Sequence, residues 1–204
     1  MLNKKIFYKT LNFSFFIWIL IFTWNFSSCV STSSQSQIAI SRNLTDKPAK
    51  NSRQLYKFFM ANNPGANKTL VKKLSKLYVS ECAIENINSD CAFVQMCHET
   101  GFLKFGNLVT SEMHNYCGLG AIDAQNPGLS FANEKLGVRA HIQHLHAYAT
   151  TEDVHLVNEC IDPRYKYVLP RGKSPDIFGL SKTWAADQNY GIKLDNLLTR
   201  LENY

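Results

Sequence analysis

The 204-residue sequence predicts a mainly α-helical protein with one folded domain. Three observations support this prediction. Apolar residues recur at helical spacing in several segments, turns rich in Asn, Gly and Pro separate those segments, and no segment shows the sustained alternation of a β-strand. With 45% hydrophobic residues, the chain is long enough for one buried core but too short for two full domains.

The first 28 residues have the layout of a secretory signal. Lys4, Lys5 and Lys9 precede an uncharged stretch whose apolar centre covers residues 13–22. The stretch ends in Phe-Ser-Ser-Cys, which resembles a bacterial lipoprotein processing site with Cys29 as the lipidated first residue. We therefore predict a lipoprotein signal peptide over 1–28, with an uncut membrane anchor as the alternative. Either would hold the protein in the cell envelope, at a bacterial membrane, facing the periplasm or the exterior.

A flexible tether is predicted to follow over residues 29–52, because this segment is polar and poor in large apolar groups. The folded domain then covers residues 53–204. Removal of residues 1–28 takes away three lysines and no acids, so the formal charge falls from +6 to +3. This small, scattered charge does not favour nucleic acid as a partner. We expect a monomer.

The folded part should contain five helices. The first two lie on either side of a turn at 62–65, and their apolar positions are Leu55, Phe58, Phe59, Leu70, Leu74, Leu77 and Tyr78. The third is capped by Ser89 or Asp90 and stopped by a left-handed Gly101. After a loop that includes 115–120, a fourth helix covers 137–148. An irregular connection over 160–183 leads to a final helix around 192–201.

The cysteines and histidines do not indicate a metal site. With Cys29 assigned to lipid, five cysteines remain, an odd number without a two-pair metal spacing, and buried free thiols are expected for most. His141, His144 and His146 do not share one helix face, and the sequence lacks a His-Glu-x-x-His motif. We interpret them as surface or partly buried side chains and expect no metal and no cofactor.

Glu99 is the strongest catalytic candidate. It lies at the predicted C-terminus of the third helix, where the helix dipole disfavours a negative charge. Its apolar neighbours Phe93, Met96, Phe102 and Phe105 should desolvate the carboxyl and raise its pKa further. A carboxylic acid that stays protonated near neutral pH can protonate the leaving oxygen of a glycosidic bond. The sequence therefore indicates glycan cleavage.

Four motifs, in this order and spacing, resemble the bacterial glucosaminidase domain of glycoside hydrolase family seventy-three. They are Gln-Met-Cys-His-Glu-Thr-Gly at 95–101, Asn-Tyr-Cys-Gly-Leu-Gly at 115–120, Gly-Val-Arg-Ala-His-Ile-Gln-His-Leu at 137–145 and Trp-Ala-Ala-Asp-Gln-Asn-Tyr at 184–190. The resemblance implies a lysozyme-like, mostly helical fold with a glycan cleft, and Glu99 as the general acid.

The same resemblance implies roles for further residues. Asn115, Tyr116 and Gly118 fall on an element that lines the sugar cleft, and Tyr190 matches an aromatic placed near the reacting sugar. Trp184 is expected to stack on a sugar face. Gln95, four residues before Glu99 on the same helix, is within reach of the catalytic carboxyl.

A second catalytic group is harder to identify from the sequence. Asp123 and Glu134 are the candidates, with Glu112 behind them, but the loop between Gly120 and Gly137 is shorter than the lobe that carries the second acid in longer family members. The acetamido oxygen of the substrate is an alternative nucleophile, with Tyr190 and either Asp123 or Glu134 stabilising the charge.

The leading hypothesis is a membrane-tethered endo-β-N-acetylglucosaminidase that hydrolyses the β-1,4 glycan strands of peptidoglycan. Two alternatives stay open. A lytic transglycosylase also relies on one Glu but leaves a 1,6-anhydro muramic end, and an inactive envelope lipoprotein would bind peptidoglycan without cleaving it.

Overall fold

The computed structural model describes residues 39–204. Within that range the chain is mainly helical and contains no β-strand, only three isolated bridges, so the predicted fold class is confirmed. Two short 3-10 helices cover Ser111–Met113 and Tyr165–Tyr167. The five α-helices are α1 (Ser52–Asn62), α2 (Lys68–Glu85), α3 (Ser89–Glu99), α4 (Glu134–Ala149) and α5 (Tyr190–Leu201).

Asparagine side chains begin the first four helices. Their side-chain oxygens accept hydrogen bonds from backbone N–H groups of the first helical turn, which have no partner within the helix. The four caps are Asn51, Asn67, Asn88 and Asn133. The prediction of Ser89 or Asp90 as the cap of α3 was therefore wrong by one or two residues. Gly101 has the predicted left-handed conformation, with φ of +56°.

Helix α3 forms the centre of the domain. It contacts α1, α2 and α5, and every residue from Ser89 to Cys97 is buried. Only the last residues of the helix, His98 and Glu99, are partly accessible. Packing on all sides therefore fixes the position of Glu99 at the end of a rigid helix.

The loop at 114–120 lies directly against α4. A Cβ atom at Gly137 would lie 1.7 Å from the carbonyl oxygen of His114, so only glycine permits this approach. The ring of Tyr116 also packs there, with Cε2 at 3.3 Å from the same Cβ position. The first turn of α4 thus positions the loop opposite the end of α3.

The five cysteines of the described residues are free thiols. Cys82, Cys91, Cys97 and Cys117 are buried, and Cys160 is exposed. The prediction of buried free thiols for most of them is confirmed.

Residues 39–51 contact the folded domain at several points, which corrects the predicted tether boundary at residue 52. Ile40 and Leu44 are buried. The N–H of Leu44 donates to the carbonyl of Pro175 at 2.9 Å, and its carbonyl accepts from the N–H of Asn88 at 2.7 Å. Residues 1–38, with the predicted signal and Cys29, lie outside the described part of the chain. No helix in 39–204 is long and apolar enough to cross a membrane.

Asp90 attaches this N-terminal segment to α3. Its Oδ2 accepts hydrogen bonds from the backbone N–H groups of Ala49 at 2.7 Å and Lys50 at 3.2 Å, while its buried Oδ1 has no partner among the described residues. Burial raises the pKa of Asp90 to about 6, against the lowering effect of these two hydrogen bonds. The folded protein therefore holds a proton on Asp90 at a pH where the unfolded chain has lost it.

This difference predicts a pH-dependent stability. Because the folded-state pKa of Asp90 is raised, its contribution to the free energy of unfolding falls as the pH rises from about 4 to about 6, by up to about 3 kcal/mol. The Asp90→Asn variant cannot titrate at this position and should lack that decrease. Urea unfolding at several pH values measures it, with Glu152→Gln, an exposed loop substitution, as the control. Parallel curves for the wild type and Asp90→Asn would contradict the prediction.

Candidate active site

A cleft of about 430 Å³ lies between the end of α3 and the C-terminal half of α4. Its walls are formed by Glu99, by loop residues within 105–109 and 117–122, and by Trp184. Within the described residues, Glu99 is the single carboxyl group that lines this cleft. The general acid candidate is thus placed where a substrate can reach it.

Two side chains hold one oxygen of the Glu99 carboxyl. Tyr190 Oη and Trp184 Nε1 both donate hydrogen bonds to Oε1, the latter at 3.0 Å. Since Oε1 already accepts two hydrogens, the acidic proton belongs on Oε2. Gly118, with φ of +66°, lies beside Oε2, and a Cβ atom there would be 4.0 Å from it. The free oxygen therefore faces an open part of the cleft.

Burial raises the pKa of Glu99, as the sequence predicted. The hydrogen bonds from Tyr190 and Trp184 stabilise the carboxylate and act in the opposite direction, but burial is the larger effect. The environment thus raises the pKa of the carboxyl and also supplies two hydrogen-bond donors to its ionised form.

A chain of buried hydrogen bonds leads from the core to Glu99. Tyr78 Oη lies 2.8 Å from His141 Nδ1, and His141 Nε2 lies 3.0 Å from Gln95 Oε1. Gln95 Nε2 donates to Tyr190 Oη at 3.0 Å, and Tyr190 Oη donates to Glu99. Gln95 Oε1 can only accept, so His141 carries its hydrogen on Nε2 and accepts from Tyr78 at Nδ1. All four bonds run in one direction.

His141 is neutral in this chain. It is fully buried, and burial lowers its pKa to about 3. A neutral imidazole has one donor and one acceptor nitrogen. Because Gln95 Oε1 can only accept, the donor is Nε2 and the acceptor is Nδ1. The chain therefore fixes the Tyr190 hydroxyl as a donor to Glu99.

Gln95 and Tyr116 differ from their predicted roles as substrate-binding residues. Gln95 is completely buried, and its amide contacts Tyr190 and His141, not the Glu99 carboxyl. Tyr116 is 2% exposed and packs in the core beside Gly137. Neither lines the cleft, so both support the site from behind.

Asn115 borders the cleft but acts mainly on its own loop. Its Nδ2 donates to the carbonyls of Leu119 and Leu129, each at 2.9 Å, and its Oδ1 accepts from the N–H of Leu119 at 2.9 Å. These bonds use its polar atoms within the protein. The result is a fixed loop that presents Gly118 to Glu99.

Asp123 and Glu134, the predicted candidates for the second acid, do not line the cleft. Asp123 is exposed and accepts hydrogen bonds from Asn126, which lower its pKa. Glu134 pairs with Lys73 at 2.8 Å, and this contact lowers the pKa of Glu134. Glu112 is likewise outside the cleft lining. The structure therefore does not bring a second carboxylate of the described chain to Glu99.

The histidines of α4 were misjudged from sequence. His141, His144 and His146 are 0%, 8% and 1% exposed, so they are buried rather than surface side chains. His144 lines the cleft and bonds to Asp162. Helical spacing places residues 141 and 144 on one face, but the sequence carries no signal that a later loop supplies a carboxylate to that face.

Trp184 contacts Glu99 through its indole N–H, a contact that sequence reasoning missed. Its ring packs against the rings of His141, His144 and Tyr148, with centroids 5.8, 5.2 and 5.2 Å away. Trp184 also lines the cleft, and stacking of a sugar on the indole stays a prediction.

Comparisons with known proteins agree with the sequence motifs. A family model described as mannosyl-glycoprotein endo-beta-N-acetylglucosaminidase matches residues 75–203. The chain is also 40% identical to an uncharacterized protein of Borreliella burgdorferi over 150 residues, which cover 74% of this chain and 72% of that relative. No solved structure matches the chain significantly.

The hydrogen bonds at Glu99 generate a prediction that does not depend on activity. Replacement of Tyr190 by Phe keeps the ring but removes a donor to the carboxylate, so the pKa of Glu99 should rise above its wild-type value. Carbon-13 NMR titration of labelled Glu side chains measures this pKa. The control is Tyr148→Phe, since the Tyr148 hydroxyl donates to the carbonyl of Thr183 and not to Glu99. An unchanged or lower Glu99 pKa in Tyr190→Phe would contradict the assignment.

Proposed function

The chain belongs to the glucosaminidase family, and from this membership we propose that it is an endo-β-N-acetylglucosaminidase acting on peptidoglycan. It cleaves the β-1,4 glycan strands by hydrolysis, with Glu99 as the general acid. The observation that carries the proposal is one partly buried carboxyl in a cleft, with a raised pKa and one oxygen free to face substrate.

The geometry supports a defined proton transfer. Glu99 Oε2 gives its proton to the glycosidic oxygen as the bond to the anomeric carbon breaks. The negative charge left on Glu99 is then stabilised at Oε1 by the N–H of Trp184 and the hydroxyl of Tyr190. Positioned acid catalysis of this kind contributes roughly 10²–10⁴-fold to a rate.

The cleft offers surfaces suited to sugar rings. Trp184 and the rim residue Ile122, which is 72% exposed, present apolar groups beside the polar ones. Pyranose rings have apolar faces that pack against such groups and hydroxyls that bond to backbone and polar side chains. Gly118 keeps the space next to Glu99 Oε2 free of side-chain atoms.

A lytic transglycosylase reaction is the second candidate. The observation that favours it is that no other carboxyl of the described residues lines the cleft, since intramolecular attack by a muramic acid hydroxyl requires no second acid from the protein. The two reactions differ in their products. Hydrolysis leaves reducing N-acetylglucosamine ends, whereas transglycosylation leaves 1,6-anhydro muramic ends.

We also propose that Cys29 is lipidated and holds the enzyme at a bacterial membrane. The Phe-Ser-Ser-Cys sequence after an apolar stretch supports this proposal. The wild type should partition into the membrane fraction, and mass spectrometry should detect a lipid on its Cys29. The Cys29→Ser variant should carry no lipid at position 29. If mature wild-type protein carries no lipid at Cys29, or if it retains residues 1–28, the lipid anchor is excluded.

The central experiment compares the wild type with Glu99→Gln on purified sacculi. Gln preserves the side-chain shape but cannot donate an acidic proton, so release of soluble fragments should fall by roughly 10²-fold or more while binding to sacculi persists. Glu152→Gln, in an exposed loop and outside the cleft lining, should keep the wild-type rate.

Product ends decide between the candidates. Mass spectrometry of reducing N-acetylglucosamine ends supports the hydrolase, and anhydro ends support the transglycosylase. Binding by the wild type without fragment release would support an inactive peptidoglycan-binding protein. A Glu99→Gln protein that folds and cleaves at the wild-type rate would remove Glu99 from the mechanism.

A further inference from the structure

His144 lines the cleft that contains Glu99 and carries a group that can act as a base. It projects from α4, and apart from Glu99 no carboxyl group of the described residues lines this cleft. Hydrolysis requires a group that activates water on the side of the sugar away from the acid, or a nucleophile in its place. An imidazole with an accessible nitrogen can perform the first task.

A buried carboxylate fixes the orientation of His144. Its Nδ1 lies 2.7 Å from Asp162 Oδ2, and the Asp162 side chain is fully buried. The other oxygen, Oδ1, accepts the backbone N–H of Arg164 at 2.8 Å. Asp162 therefore has one fixed position, from which Oδ2 can only accept the hydrogen on His144 Nδ1 when it is ionised.

The neighbouring Gln143 already holds the loop that carries Asp162. Its Oε1 accepts from the backbone N–H groups of Ile161 at 2.8 Å and Asp162 at 3.2 Å, and its Nε2 donates to the carbonyl of Glu159 at 2.9 Å. The contact between His144 and Asp162 is thus not the sole attachment of this loop to α4. What the contact adds is a defined orientation of the imidazole ring.

The second ring nitrogen of His144 remains available. With the hydrogen on Nδ1 donated to Asp162, the neutral ring carries its lone pair on Nε2. Nε2 has no hydrogen-bond partner among residues 39–204, and it is not one of the buried unpaired side-chain atoms of that range. The basic nitrogen therefore keeps some accessible surface, on a ring that lines the cleft.

The indole of Trp184 contacts both His144 and Glu99. Its N–H bonds to Glu99 Oε1 at 3.0 Å, and its ring meets the His144 ring edge to face with centroids 5.2 Å apart. The same indole thus contributes to the positions of both the acid and the imidazole. An inverting glycosidase needs about 6.5–9.5 Å between its acid and its base to admit a water molecule, which two groups that lie on opposite sides of a cleft can provide.

We propose that His144, oriented by Asp162, is the general base of an inverting hydrolysis. This proposal rests on the glycosidase function proposed above. His144 Nε2 takes one proton from a water molecule as the water oxygen bonds to the anomeric carbon from the face opposite the leaving group. The bond to the glycosidic oxygen breaks, its electron pair stays with that oxygen, and Glu99 Oε2 protonates it. The product has the α configuration.

The decisive variant is His144→Asn. The Asn amide nitrogen takes the place of Nδ1 and can still donate to Asp162, but nothing replaces the basic Nε2. We expect kcat to fall by roughly 10²–10⁴-fold with a small change in KM, since the base acts only in the transition state. His155→Asn, at an exposed loop position, is the matched control and should keep the wild-type kcat. Thermal unfolding of each variant verifies that it is folded.

Rescue by azide separates a base from a structural residue. Azide needs no deprotonation before it attacks the anomeric carbon, so it should restore cleavage to His144→Asn and yield an α-glycosyl azide. A variant that is inactive because its cleft is distorted would gain nothing from azide. Failure of the rescue in a folded, inactive variant would therefore count against the general base.

Product stereochemistry in the wild type tests the proposal without any substitution. Proton NMR of soluble glycan strands during the first minutes of cleavage should show new α-anomeric ends before mutarotation. New β-ends would overturn the general-base role of His144 without contradicting the proposed hydrolase function. A His144→Asn protein with wild-type kcat would have the same meaning. A wild-type protein that forms anhydro ends, or that releases no fragments, would instead contradict the proposed hydrolase function.

Discussion

The hydrogen bond from the Tyr190 hydroxyl to Glu99 is the interaction on which the candidate site depends. It joins the first residue of α5 to the last residue of α3. The Tyr190 hydrogen points to Glu99 because Gln95 supplies the other hydrogen bond to that oxygen, and Gln95 is fixed in turn by His141. A buried polar group that loses its partner costs about 1–3 kcal/mol. Each link therefore enforces the next.

Two opposing effects set the pKa of the Glu99 carboxyl, the proposed general acid. Burial raises the pKa and keeps the proton in place, while the donors at Oε1 lower the pKa and favour its release. Burial alone would make the carboxylate too costly to form, and the donors alone would leave an ionised group with no proton to give. In the proposed mechanism both conditions hold, because the two donors stabilise Oε1 while the proton leaves from Oε2.

The sequence predicted the helices well because their patterns are local. Turn residues and the apolar spacing of α1 to α5 lie within each segment, and Gly101 marks the end of α3 by its own conformational freedom. Contacts between distant segments were missed. Residues 39–51 contact the folded domain through buried Ile40 and Leu44 and a hydrogen bond from Leu44 to Pro175, and His144 is paired with Asp162 in an irregular loop. Asp123 was a candidate for the second catalytic acid, yet its side chain bonds within its own turn and does not line the cleft.

The backbone after Glu99 shows what a precise helix end requires. Gly101, Phe102 and Leu103 all have positive φ, at +56°, +57° and +60°, and the two non-glycine residues cost of order 1–3 kcal/mol each in this region. Phe102 packs its ring against Phe58 and Phe59, with centroids 5.8 and 5.4 Å away. Full burial of a Phe side chain is worth about 1.5–3 kcal/mol, and the partly buried ring of Phe102 gains a fraction of this, which offsets part of the strain at that residue. The aromatic contacts of α1 thus help to end α3 at Glu99. The Glu99 carboxyl therefore lies at the end of the helix and lines the cleft.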